Sequence, residues 1–245
     1  MNDIISSSKN ETVKRVARLK RPRGRRESGD ILVEGPNLFD AVNAAGIVPA
    51  IVFATPDDDR TISACSRIDT VLQLVSDHVL ASLADAAHPR SPVVVVRQPG
   101  PDTLTARSIV VMVDIADPGN AGTIIRTAAA FGWAVGYTPN TVDLWSPKTL
   151  RGGAGAHFAT DLVPVTDLGA LSGGGHTVVA SVVEGGAGAV PVEGPYALLV
   201  GSEVHGLHSD QAASASLQLT IPMTGNMESL NASVAAGIAM FQLSR

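Results

Sequence analysis

One cysteine, Cys65, occurs in 245 residues. That excludes an internal disulfide and a cysteine-based metal site, and it points to a reducing, cytoplasmic setting. No apolar run reaches the roughly 18 residues that a membrane-crossing helix requires. The opening MNDIISSSKNETVKR lacks the apolar core of a signal peptide. The six histidines show no HExxH spacing. His205 and His208 have no carboxylate that completes a metal site, and an ordinary loop accounts for them. The G-x-G-x-x-G fingerprint of dinucleotide-binding folds is absent, as is any internal repeat. Basic residues are scarce over most of the chain: beyond residue 104 only Arg107, Arg126, Lys148, Arg151 and Arg245 occur.

The basic residues are instead concentrated near the start. The formal net charge is −5, yet residues 9–26 hold nine of the 18 Lys and Arg and a single acid, Glu11. The segment therefore carries +8 and leaves −13 for the remainder. Such a cluster is an electrostatic footprint for phosphates, and a solvated tail is the plainer alternative. Lys9, Lys14, Arg15, Arg18, Arg23, Arg25 and Arg26 are the candidate RNA contacts. Within this arm, 1–28, residues 11–20 can form a short amphipathic helix, and RPRGRRESG reads as a flexible connection.

The chain is long enough for one large domain or two small ones with a substantial core. Residues 29–98 alternate short strands and helices, as a small α/β unit does. Pro99, Gly100 and Pro101 mark a linker over 99–106. The second unit, 107–245, opens on the apolar run 108–113, as expected of a central parallel strand. Its strand–helix–strand order implies right-handed crossovers. A polar segment at 143–150 has helical potential.

Three motifs punctuate this second unit. The first is DPGNAGTIIR, 117–126: a strand ends, a turn follows, and a helix opens near Asn120. Arg126 sits among small and apolar neighbours, so it calls for an anionic or polar partner, a structural ion pair being the simplest. The second is LLVGSEVHGL, 198–207, where a buried strand runs into Gly201, Glu203 and Gly206. Glycines let a backbone wrap a ligand, although a surface turn would look similar. The third is IPMTGNMESLNASVAAGIAMFQL, 221–243. Pro222 ends a strand, Gly225 and Asn226 form a loop, and a helix starts near Ser229. Glu228, Ser229 and Asn231 crowd its mouth, and the nearly charge-free remainder is expected to be buried on most sides.

Together, in this order, the motifs resemble the SpoU (TrmH) family of RNA ribose 2′-O-methyltransferases, in the SPOUT superfamily. The resemblance rests on N-x-G-x-x-x-R from Asn120 to Arg126, G-S-E-x-x-G-L from Gly201 to Leu207, and I-P-M-x-G-x-x-E-S-L-N-x-S-V-A-A-G-I from Ile221 to Ile238. SPKTLRGGAGAHF, 146–158, is also similar, with Arg151 placed for RNA. The N-terminal EGPNLFDA pattern is similar to a small ribosomal-protein-like substrate-binding domain. The resemblance implies an α/β fold whose parallel sheet ends in a trefoil knot, a homodimer, and S-adenosylmethionine as methyl donor. It implies that Val200, Gly201, Ile221, Met223 and Leu230 line the adenosyl pocket. Arg126 would be the essential arginine. A guanidinium with pKa above about 12 is a poor base, so a clamp on the phosphate beside the target ribose is the preferred role. Asn120, Glu203, Ser229 and Asn231 would orient the ribose and Arg126. Ribosomal RNA is the favoured substrate. Transfer RNA and a non-catalytic RNA-binding module are the alternatives, and housekeeping and antibiotic-resistance enzymes share this layout.

Overall fold

The computed structural model describes residues 4–188, 194–225 and 227–244; Asn226 and Arg245 lie outside the described residues. The chain divides into two compact units, one comprising Met1–Gly100 and Trp145–Phe158, the other Pro101–Leu144 and Ala159–Arg245.

The first unit begins with helices, not with a loose arm. In α1 (Glu11–Ala17) the Asn10 side chain accepts from the amides of Thr12 and Val13, a standard N-cap that satisfies two orphan donors. Helix α2 (Pro22–Ser28) spans most of RPRGRRESG, overturning the expectation of a flexible connection. Pro22 and Gly29 are the reason. Proline is pre-set for a first helical turn, and Gly29, at φ 72°, supplies a left-handed stop. Val13, Val16 and Leu19 point inward and join Leu32, Phe53, Val79 and Leu83 in one core.

Strand β1 (Asp30–Glu34), α3 (Pro36–Ala44), β2 (Ile51–Ala54), α4 (Asp59–Cys65), β3 (Val71–Leu74), α5 (Asp77–Leu83) and β4 (Val93–Arg97) follow. The four-stranded sheet has the order β1-β4-β2-β3. Both β1 and β2 run antiparallel to β4, whereas β3 runs parallel to β2.

The second unit carries a six-stranded, all-parallel sheet. Its elements are β5 (Ile109–Met112), α6 (Pro118–Phe131) and β6 (Ala134–Tyr137). After α7 (Pro147–Gly153), which belongs to the first unit, come β7 (Leu162–Pro164), α8 (Gly169–Gly173), β8 (Thr177–Ser181), β9 (Tyr196–Val200), α9 (Ser209–Ala213), β10 (Leu217–Leu219) and α10 (Ala232–Leu243). The order is β10-β8-β9-β5-β6-β7. Strand β5 is buried throughout and lies between β6 and β9. The chain proceeds from β5 to one side and later fills the other, so the sheet has its switch point at β5/β9, where open α/β sheets bind ligands at their carboxyl ends.

Three local expectations shift. The 143–150 segment forms its helix later, at Pro147–Gly153, because the Ser146 hydroxyl caps the Thr149 amide and Pro147 suits a first turn. Helix α10 starts at Ala232, not near Ser229, because the Asn231 side chain takes the amides of Ser233 and Val234 and so fixes the N-cap there. Nor is α10 buried on most sides. Ala236, Ala239, Met240 and Leu243 face inward onto α6, β8 and β9, while Val234 and Phe241 are 49% and 44% exposed. A helix that is apolar all round carries no sequence signal for which face is buried.

Candidate active site

The polar residues of the three motifs converge beyond the carboxyl ends of β5 and β9. Asp117 ends the β5 loop as the N-cap of α6, its carboxylate accepting from the Asn120 amide at 2.8 Å. The Asn120 side chain, one turn into the helix, donates through Nδ2 to Glu203 Oε1 at 2.5 Å. Asn231 Nδ2 donates to Asn120 Oδ1 at 2.9 Å. Asn231 Oδ1 is itself occupied, accepting from the Ser233 amide at 3.0 Å, the Ser233 hydroxyl at 2.7 Å and the Val234 amide at 3.3 Å.

The direction of this chain is determined. A helix N-terminus offers only donors, so Asn231 must present its oxygen to the helix and its NH2 outward. Asn120 must then turn its oxygen to Asn231 and its NH2 to Glu203. Glu203 is thereby the acceptor at the end of a relay that starts at the N-terminus of α10. Two carboxamides and a carboxylate, 83 and 111 residues apart in sequence, share one geometry.

Beside this chain lies a cavity of about 370 Å³, within the usual span of small-molecule sites. Val200, Gly201, Ile221, Met223 and Leu230 all line it. Ser229 and Glu203 lie on its wall too, although Ser229 makes no side-chain hydrogen bond among the described residues. Gly201 has a specific reason to be glycine. A Cβ there would overlap the backbone of Gly206 and Leu207, because the loop folds back on itself, with the Gly206 amide donating to the Ser202 carbonyl at 2.9 Å. The β8 end at Ser181–Val183 and the α10 residue Ala235 also line the cavity, which sequence reading missed. Residue spacing cannot show that β8 abuts β9. Glu228, which the sequence puts at the mouth of the last helix, lines it as well.

Arg126 lies further along α6 and is exposed, with neither ion pair nor hydrogen bond among the described residues. The alternative of a structural ion pair finds no partner for it among the described residues, and an exposed guanidinium carries no burial cost.

The candidate RNA contacts separate into classes. Lys9, Lys14, Arg15, Arg18, Arg23 and Arg26 are exposed. Lys14 pairs with Glu11 at 2.8 Å and Arg23 with Glu27 at 2.6 Å. Arg25 departs from the group: it is 3% exposed, and its guanidinium donates to the Leu19 carbonyl at 2.7 Å, tying α2 to the preceding turn. A buried, committed arginine is not offered to a phosphate. Arg151, within the first unit, pairs with Asp85 at 2.8 Å and Glu34 at 3.3 Å.

Comparison with known proteins places these features in a family. Residues 107–241 match the SpoU rRNA Methylase family, and residues 10–93 match the MRM3-like substrate binding domain. The chain is 32% identical to the 23S rRNA (guanosine(2553)-2′-O)-methyltransferase RlmP of Bacillus subtilis, over 98% of each chain. The fold superposes on an RNA 2′-O ribose methyltransferase with a TM-score of 0.83 at 26% identity, covering 98% of this chain and 97% of the other. An AdoMet-bound rRNA methyltransferase from Sinorhizobium meliloti gives the same TM-score of 0.83 and 26% identity over 98% and 96%. No helix among the described residues is long and apolar enough to cross a membrane. The chain belongs to the SpoU rRNA methylase family.

Proposed function

We propose that this protein transfers a methyl group from S-adenosylmethionine to a ribose 2′-hydroxyl of ribosomal RNA. The observation that carries the reading is the directed Asn231–Asn120–Glu203 chain ending on the wall of the cavity. The residues present suit the donor: the apolar side chains of Val200 at a strand end, Ile221 and Leu230 accept an adenosyl group, and the folded-back loop at Gly201 brings backbone amides and carbonyls to its edge. When bound, S-adenosylmethionine supplies an electrophilic sulfonium methyl and leaves as a neutral thioether.

The protein's own task is to position a weakly acidic alcohol and raise its nucleophilicity. Arg126 clamps the phosphate next to the target ribose and lowers the hydroxyl's pKa electrostatically. Glu203, held by Asn120, accepts a hydrogen bond from the ribose, and Ser229 contributes a further hydroxyl at the same wall. The exposed bases of α1, of the turn that follows it and of α2, Arg15, Arg18 and Arg26 foremost, supply phosphate contacts that the acidic remainder cannot. The first unit, with the basic helices of 11–28 and Trp145–Phe158 included in it, is read as the substrate-binding unit, and the second unit as the catalytic one.

Two finer features belong to the proposal. The exposed Val234 and Phe241 of α10 and Phe131 of α6 form an apolar face that supports a homodimer. The return of α10 onto β8 and β9 after the edge strand β10 supports the reading of a trefoil knot. The working compartment is the cytoplasm.

Arg126→Ala should keep donor binding and lose methyl transfer, measured with tritiated donor on ribosomal RNA from cells without this enzyme. An active Arg126→Ala variant would remove the clamp from the mechanism.

A further inference from the structure

The 201–206 loop has a second cavity against it, about 290 Å³ in volume. It shares the loop from Ser202 to Gly206 with the first cavity, and its other walls are Val113, Asp114 and Ala116 beyond β5 and His208 and Gln211. Asp114 is unusual. It holds φ at 56°, one of two non-glycine residues at positive φ among the described residues. Such conformations persist where the surroundings enforce them, and they cluster at ligand sites. Here a single hydroxyl does the enforcing: the Asp114 amide donates to Thr138 Oγ1 at 2.9 Å, and that hydroxyl donates to Asp114 Oδ1 at 2.7 Å. Oδ2 has no partner among the described residues, and Asp114 forms part of the cavity wall.

The lining chemistry restricts what can enter. Two carboxylates, Asp114 and Glu203, line the cavity together with His205, His208 and Gln211, and no Lys or Arg does. A phosphate is repelled, and a group rich in N–H donors is favoured. In an RNA the N–H donors are on the bases. Only guanine presents two adjacent donors, N1–H and the exocyclic N2–H, spaced for the two oxygens of one carboxylate. Cytosine and adenine place a ring acceptor beside their amino group, and uracil flanks its single N–H with carbonyls; both arrangements repel a carboxylate. Single-stranded bases are read on this edge.

We propose that this second cavity receives the base of the target nucleotide and that Asp114 selects guanine through its Watson–Crick edge. The inference rests on the methyltransferase reading above and adds the identity of the nucleoside and the residue that reads it.

The test separates the two. Ribosomal RNA from cells lacking this enzyme is incubated with the protein and tritiated S-adenosylmethionine, digested to nucleosides and resolved by chromatography. The expected label is in 2′-O-methylguanosine. Label in another 2′-O-methylnucleoside overturns the proposal and leaves methyl transfer standing; no label overturns both. Asp114→Asn tolerates the positive φ and still accepts from Thr138, but it presents an NH2 where guanine presents its own donors. It should lower kcat/KM by about 10- to 100-fold, with donor affinity and melting temperature unchanged. Wild-type kcat/KM in Asp114→Asn overturns the role of Asp114.

Discussion

Asn231 performs two tasks with opposite ends of one side chain, and two substitutions pull them apart. Its oxygen caps α10 and its NH2 holds Asn120. Asn231→Ala removes both. The cap is worth about 1 kcal/mol, and the hydrogen bond to Asn120, in an exposed setting, about 0.5–1 kcal/mol. For a chain of this size that lowers the melting temperature by about 3–8 °C. Asn231→Asp retains the cap, since a carboxylate accepts the same amides and favours a helix N-terminus by about 0.3–1 kcal/mol. Its stability should therefore match the wild type. Yet Asn120 would then face an acceptor on each side and could satisfy only one with its NH2. Glu203 loses its donor or the new carboxylate does. We expect Asn231→Asp to reduce methyl transfer about 10- to 100-fold, the scale of a lost positioning contact, while melting like the wild type. Thermal denaturation beside kcat/KM with tritiated donor measures both. If Asn231→Asp transfers methyl at the wild-type rate, the directed chain has no part in catalysis.

Two further outcomes are expected. Gly201→Ala forces a methyl group into the Gly206–Leu207 backbone; overpacking of this kind costs about 1–3 kcal/mol, and calorimetric donor titration should show loss of binding, so donor affinity equal to the wild type refutes the cradle. Replacing exposed Arg15 and Arg18 with glutamate should leave stability unchanged and lower the salt slope of RNA binding by at least about 1.4–1.8, read by filter binding at several salt concentrations; an unchanged slope excludes this face of α1.

Deleting residues 1–28 would not be a clean version of that experiment, since Val13, Val16 and Leu19 are core residues. Here lies a boundary between what the sequence shows and what it hides. Asn120, Glu203 and Asn231 stand out in the sequence because each is polar beside small or apolar neighbours at a strand or helix end. That they form a directed chain depends on the N-cap of α10, which the sequence narrows only to 229–231. The basic cluster is equally visible, but a count of charges does not say which side chain turns inward. Arg25 turns inward because α2 runs on from the Leu19 turn and brings its guanidinium to that carbonyl. The parallel run of β5 and β6 followed from strand–helix alternation, whereas the cavity wall at Ser181–Val183 required knowing that β8 lies beside β9. The exposed face of α10 was hidden for the opposite reason, because its uniform apolarity erased the contrast that periodicity reads.

The membership of Trp145–Phe158 in the first unit has a consequence for synthesis. Glu34, on β1, has a side chain only 5% exposed and accepts from the amides of Asp85 and Ala86 and from Arg151. When β4 leaves the ribosome, every strand of that sheet exists, but the guanidinium that answers Glu34 has not been made. Translation at about 5–20 residues per second puts several seconds between the two. During that interval the apolar strands β5 and β6 emerge ahead of the rest of their own sheet. The nascent chain therefore holds a buried carboxylate without its guanidinium while a second core is still incomplete, and a fragment ending at Gly100 would leave Glu34 without that partner permanently.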